Sequence, residues 1–307
     1  AFVHPLAAQR APSPAAGAAP PAALSPVTLE LQALVERIQT KLTAGKNTAA
    51  DLADELAAFD KLFAKYRSQK TDEVAQILYM HAALYAQVLE DNTKALELFR
   101  VLKTEFASTE LGASADKAIE QIETEAKSAA VQAALIGKPA PELNFKWSSR
   151  EGLKTLSELK GKVVILDFWA TWCGPCVASF PNVRELVEHY KDRDVVVLGV
   201  TSIQGSIIGL GAAAIDTRND PAKEFALMKD YIKAKEITWP IAFSTQEVFN
   251  PDYGIRGIPY IAIIAPDGTV RHTGLHPGIP AEEKYAKIDA ILKEFGKKLP
   301  LATEPNK

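Results

Sequence analysis

Apolar residues recur along positions 27–135 at steps of three and four, the spacing of one face of an α-helix. Leu52, Leu56, Phe59, Phe63 and Tyr66 form one stripe. Val74, Ile77, Leu78, His81, Leu84, Tyr85 and Val88 form another. Ala95, Leu96, Phe99, Leu102 and Phe106 form a third, and Ala115, Ile119, Ile122 and Ala126 a fourth. With a first helix over 27–43, the pattern predicts five helices. Gly45-Lys46-Asn47 breaks the first from the second, and Asn47 or Thr48 is placed to cap the second. No such helix hides its stripe alone, so neighbours are expected to pair as antiparallel hairpins. His81 lies on a stripe and is expected to be a packed histidine with one hydrogen bond rather than a metal ligand.

The period changes after residue 136. Gly137-Lys138-Pro139-Ala140-Pro141 cannot continue a helix and marks a boundary. A short strand is expected over 143–147 and a helical turn over 156–162. Residues 163–169 are then apolar at nearly every position, as in a strand buried on both faces of a helix-covered sheet. From Cys176 a helical stripe runs through Val177, Phe180, Val183, Leu186, Val187 and Tyr190. Pro181 sits inside it and is expected to kink the helix, not end it. A second buried strand over 194–201 completes a β-α-β unit, which implies parallel pairing and a right-handed crossover. Residues 202–220 mix glycine with apolar residues. This long connection leaves the carboxyl end of a strand, where ligands sit in open α/β sheets; a surface insertion without a role is the other reading. A helix over 221–235, a strand over 239–244 and a loop over 254–259 follow. A hairpin over 260–273 and a last helix over 280–295, closed by Gly296, complete the pattern.

A chain of 307 residues has room for two domains. The expected division is an all-α helical-hairpin domain over 27–135 and an α/β domain over 136–298, with tails at 1–26 and 299–307. The formal net charge of −3 argues against a nucleic-acid face. No apolar run reaches the length of a membrane span. The first 26 residues hold ten Ala and six Pro, with Arg10 as their only Lys or Arg. Such a segment is expected to be disordered. Small residues around Leu6-Ala7-Ala8 suit a cleavage site, which would make the chain an exported, periplasmic or cell-envelope protein; a plain flexible tail of a cytoplasmic protein is the alternative.

The candidate chemistry lies at the end of the buried strand. The only two cysteines form Cys173-Gly174-Pro175-Cys176, directly after it and at a helix start. Two cysteines alone cannot close a four-ligand zinc site, and Val177 stands where a haem attachment motif needs His. A dithiol at a helix start points to redox exchange, with no cofactor required. Unpaired amide N–H groups favour a thiolate at Cys173, which makes it the attacking sulfur. Cys176, one turn on, can resolve a mixed disulfide. Gly174 permits the tight entry, Pro175 sits where its missing N–H costs nothing, and Trp172 offers a flat apolar lip. Asp167, six residues before Cys173 in the buried strand, is expected to have a raised pKa and to take the Cys176 proton. An edge-facing aspartate bonded to a loop is the other reading.

Asp167-Phe168-Trp169-Ala170 and Trp172-Cys173-Gly174-Pro175-Cys176, with Pro181 and Gly254-Ile255-Arg256-Gly257-Ile258-Pro259, resemble thioredoxin. Gly137-Lys138-Pro139-Ala140-Pro141 and Pro266-Asp267-Gly268 are similar to exported thioredoxin-like proteins of the TlpA/ResA branch. The resemblance covers 136 to about 296. It implies a thioredoxin-like mixed sheet flanked by helices, a cis Pro259 facing the dithiol, an Ile258 backbone free to pair with substrate, and Asp167 as the buried acid. It implies protein-disulfide reduction, with protein disulfide substrates and an upstream electron donor as partners. Val177-Ala178-Ser179 lacks the Glu that this branch often carries there, and no Lys stands on the second strand where thioredoxin keeps one near its acid. Leu89 to Phe99 resembles a tetratricopeptide-type hairpin, which implies a docking concavity; a spacer bundle is the other reading. Two further functional readings remain: a binding scaffold, and a thiol peroxidase, which wants Thr where Ala170 stands, one place before Thr171.

Overall fold

The computed structural model describes residues 24–300. The expected terminal tails and the Leu6-Ala7-Ala8 site lie almost entirely outside them. The described residues form two compact units that divide between Ile122 and Glu123.

The first unit is helical. Its helices are α1 (Pro26–Thr43), α2 (Ala53–Tyr66), α3 (Asp72–Gln87) and α4 (Asn92–Glu105). A fifth, α5 (Glu110–Leu135), contains the division between units. Ser25 caps α1 by accepting the Thr28 N–H at 3.2 Å, and Asp91 caps α4 by accepting the Lys94 N–H at 3.0 Å. The stripes meet in one core that includes Leu31, Leu34, Phe59, Ile77, Leu78, Leu102 and Phe106. Each fully buried aliphatic contributes roughly 1.5–3 kcal/mol. One expectation fails here: neither Asn47 nor Thr48 caps α2; Thr48 and Asp51 exchange hydrogen bonds across the turn before it, and Leu52 holds the cap position. His81 is packed, as expected, and stacks on Phe59 at 4.7 Å; its Nδ1 lies 3.8 Å from Asp60 Oδ1 and its Nε2 has no hydrogen-bond partner.

The second unit is built on a six-stranded mixed sheet. Its strands are β1 (Phe145–Ser148), β2 (Val163–Phe168), β3 (Val195–Thr201), β6 (Ile241–Ser244), β7 (Tyr260–Ile264) and β8 (Val270–Leu275). β4 (Ser206–Ile207) and β5 (Ile215–Asp216) form a separate two-stranded ladder. The sheet order is β1-β6-β3-β2-β7-β8. β2 is parallel to β3 and antiparallel to β7, so it lies in the interior with every residue buried. This accounts for its unbroken apolar run. Its odd positions, Val163 and Ile165, join a core with α7 (Phe180–His189), α8 (Pro221–Ala234) and α9 (Ala281–Glu294). Its even positions, Val164, Leu166 and Phe168, join a second core on the other face. Gly199 on β3 lets two indoles converge: a Cβ there would stand 3.0 Å from Trp169 Nε1 and 3.1 Å from Trp239 Nε1.

Pro181 behaves differently from expectation. The helix breaks at Ser179 into α6 (Gly174–Ala178) and α7. Without an N–H, Pro181 cannot bond back to the preceding turn. Ser179 turns the chain while its Oγ donates to Cys176 O at 2.7 Å. The 202–220 connection is also less irregular than expected, because it contains the β4–β5 ladder.

Candidate active site

β2 carries the chain from the middle of the sheet into Ala170-Thr171-Trp172 and then α6. Cys173 is the N-cap of α6, and its Sγ accepts the Cys176 N–H at 3.2 Å. One helical turn separates the two cysteines, their Cα atoms lie 5.3 Å apart, and they are joined as a disulfide. Cys176 is 1% exposed and Cys173 5%, whereas Trp172 is 44% exposed beside them. Pro175 occupies the first turn of α6, as its fixed φ favours.

The loop before β7 closes over the first sulfur. The Ile258–Pro259 peptide is cis, and Ile258 O lies 3.6 Å from Cys173 Sγ. Gly254, at the start of this loop, has φ +64°, and a Cβ there would fall 2.7 Å from Ser128 O. Its carbonyl accepts from Ser128 Oγ and from Gln132 Nε2, the latter at 2.7 Å. The loop is thus held in place by the last turns of α5.

Asp167 sits in β2 opposite Gly199 on one side and Ile261 on the other. By strand alternation it shares a face with Val163 and Ile165, whose core also holds both cysteines. It is 2% exposed and its Oδ1 has no hydrogen-bond partner. Burial pushes its carboxyl up to about 7, moderated by the positive charge of Lys284. The reading of Asp167 as an edge-facing residue bonded to a loop is therefore not met.

Lys284 is the residue that the sequence pattern hid. The second strand carries no Lys near the acid, and the cation comes instead from α9. It is 5% exposed, and its Nζ donates to Pro277 O at 2.7 Å. Burial holds its ammonium below the usual range. A signal was present: Lys284 precedes Ile288, Ile291 and Leu292 by four, seven and eight positions, so it continues the buried stripe of α9.

A second hidden group is Glu224 on α8, fully buried. Its carboxylate accepts from Gln204 N at 2.7 Å, Gly205 N at 3.0 Å and Thr217 Oγ1 at 2.7 Å. Gln204 Oε1 in turn accepts from Thr171 N at 2.8 Å and Thr171 Oγ1 at 2.7 Å. The 202–217 connection is thereby tied to the segment that delivers Cys173. Among the described residues no group of three or more His, Cys, Asp or Glu is arranged to hold a metal ion, and no helix is long and apolar enough to cross a membrane.

Comparison with known proteins gives one family and a consistent set of relatives. The model of the Redoxin family matches residues 135–292. "Thiol-disulfide oxidoreductase ResA" of Bacillus thuringiensis subsp. konkukian is 33% identical over 161 residues, covering 52% of this chain and 78% of that protein. The protein of the same name from Bacillus subtilis (strain 168) is 29% identical over 135 residues, covering 44% of this chain and 64% of the other. The solved thioredoxin domain of a thiol-disulfide oxidoreductase from Bacteroides vulgatus is 21% identical, covering 52% of this chain and 92% of that chain with a TM-score of 0.36.

Proposed function

This chain belongs to the redoxin family, and from that premise we infer that it is a thiol–disulfide oxidoreductase acting on protein disulfides. The observation that carries the reading is the Cys173–Cys176 disulfide at the start of α6, with Ile258 O 3.6 Å from the first sulfur. In the reducing direction, the Cys173 thiolate attacks one sulfur of a substrate disulfide. A mixed disulfide forms and one substrate thiolate leaves. The Cys176 thiol passes its proton to the Asp167 carboxylate, directly or through water, and its sulfur attacks Cys173 Sγ. The second substrate thiolate leaves, and the protein is left in its oxidised form. Two electrons have passed to the substrate, and an upstream dithiol donor must return them.

In this scheme Cys173, Cys176 and Asp167 are catalytic. Trp172, Gly174, Pro175, Ile258 and Pro259 form the substrate-facing surface, with the Ile258 backbone available to pair with an extended chain. An acid titrating near neutral pH suits a group that must accept and return a proton within one cycle. The peroxidase reading is disfavoured by Thr171, whose hydroxyl already donates to Gln204 Oε1 and accepts from Ile208 N. An extracytoplasmic setting fits the ResA relatives, and the helical unit is the candidate for docking a partner, as a tetratricopeptide-like hairpin would.

The test is reduction of insulin disulfides with dithiothreitol as donor. The wild type accelerates it and Cys173→Ser abolishes the acceleration. Absence of acceleration by the wild type overturns the reading.

A further inference from the structure

Four large apolar side chains of the second unit are strongly exposed among the described residues: Ile136, Trp172, Ile208 and Phe249. Three of them lie on segments that meet beside the disulfide. Trp172 adjoins Cys173. The Phe249 ring lies 6.1 Å from the Trp172 ring, tilted by 40°. The Ile208 N–H donates to Thr171 Oγ1 at 3.3 Å, one residue before Trp172. Exposed apolar groups clustered at one place mark an interaction surface.

Neither loop that supplies these side chains hangs free. Ile208 directly follows β4, on the connection fixed by the fully buried Glu224 through three donors and by Gln204 to Thr171. Gln204 Nε2 also donates to Thr201 Oγ1 at 3.2 Å, at the end of β3. On the other loop, Asn250 is buried beside Phe249; its Oδ1 accepts the Asp252 N–H at 2.9 Å, and its backbone oxygen accepts the Ile255 N–H at 3.0 Å. A rigid apolar side chain contributes more to binding than a mobile one, because little ordering entropy remains to be lost.

The occupant follows from the chemistry. A sulfur that exchanges with Cys173 must come within bonding distance of it, so the residues flanking that sulfur must lie on the side chains around the disulfide. We propose that Ile208 and Phe249, with Trp172, form a specificity-determining rim that selects protein segments carrying a bulky apolar residue next to the reactive cysteine. The inference deepens the oxidoreductase reading and rests on it. Ile208 and Phe249 lie on loops outside the cysteine motif and the cis-proline loop.

The experiment uses the full chain with dithiothreitol as the electron donor, the rate without protein being subtracted, and two short peptides whose single cysteine is disulfide-linked to thionitrobenzoate. One peptide has Leu on each side of the cysteine and the other has Ser. The wild type favours the Leu peptide by about tenfold in kcat/KM, carried mainly by KM. Ile208→Ser and Phe249→Ser each lower the preference to about threefold or less, while Ile208→Leu keeps it. Equal kcat/KM for the two peptides in the wild type, or an undiminished preference in both Ser variants, overturns the rim; turnover of the peptides would then leave the oxidoreductase reading standing. If the wild type turns over neither peptide nor 2-hydroxyethyl disulfide, that reading falls and the rim falls with it.

Discussion

Asp167→Asn removes a buried charge without changing the shape of the site, and its effect on stability can be worked out in sign and size. In the unfolded chain the carboxyl titrates near its ordinary value of 3.8, and in the folded protein near about 7. Below about pH 4 both states hold the proton and the residue favours neither. Between about pH 4 and 7 the unfolded chain has released a proton that the folded chain retains, so stability falls as pH rises. Above about pH 7 both states are ionised and the full penalty remains. The separation corresponds to about 4 kcal/mol. The amide of the variant has no such proton to lose. The variant is therefore expected to gain on the wild type progressively across that window. At about pH 8 its advantage should exceed the difference at about pH 4 by about 4 kcal/mol. All four tryptophans, at 147, 169, 172 and 239, lie in the second unit, so tryptophan fluorescence in urea reads its unfolding alone. The oxidised proteins should be compared at half-unit steps of pH. Parallel profiles for wild type and variant would show that the Asp167 carboxyl is not raised by folding.

Three other substitutions probe different contacts. Lys284→Met removes the cation that moderates Asp167, so the falling limb of the same profile should move above about pH 7; an unchanged midpoint would mean that the ammonium does not act on the acid. Glu224→Ala leaves Gln204 N, Gly205 N and Thr217 Oγ1 without their acceptor, at a cost of about 2–5 kcal/mol, and trypsin should then cut at the exposed Arg218 much faster than in the wild type. His81 is held below its ordinary 6.5 by burial, so the helical unit should lose stability as pH falls through 6.5, where the unfolded chain gains a proton that the folded ring resists. His81→Leu should flatten that acid limb in urea titrations followed by far-ultraviolet circular dichroism.

Much of the fold was legible because its cause is local. The step of three and four along α1 to α5, and the unbroken apolar run of β2, are direct records of which faces are buried. The dithiol was legible for the same reason, since strand, turn and helix start are contiguous in sequence. What escaped notice depends on partners brought in by the fold. Lys284 reads as one more surface charge until α9 is laid against the face of the sheet that carries Asp167. Glu224 reads as a helix-surface acid until the 204–217 loop folds onto it and supplies three donors. The Pro181 stripe continued the helical period across a break, because Ser179 needs only a single turn to redirect the chain and the burial pattern resumes afterwards. Phe249 belongs to no periodic stripe, and only the fold sets its ring against Trp172. Each of these features rests on a tertiary pairing or a local turn that periodicity does not record.

The two sulfurs have different tasks: Cys173 attacks and Cys176 resolves. Mass spectrometry of the reduced single-cysteine variants after exposure to an oxidised protein substrate distinguishes them. Cys176→Ser is expected to accumulate a stable mixed disulfide through Cys173, while Cys173→Ser captures little or nothing. Equal capture by both variants, or capture through Cys176 alone, would overturn this assignment.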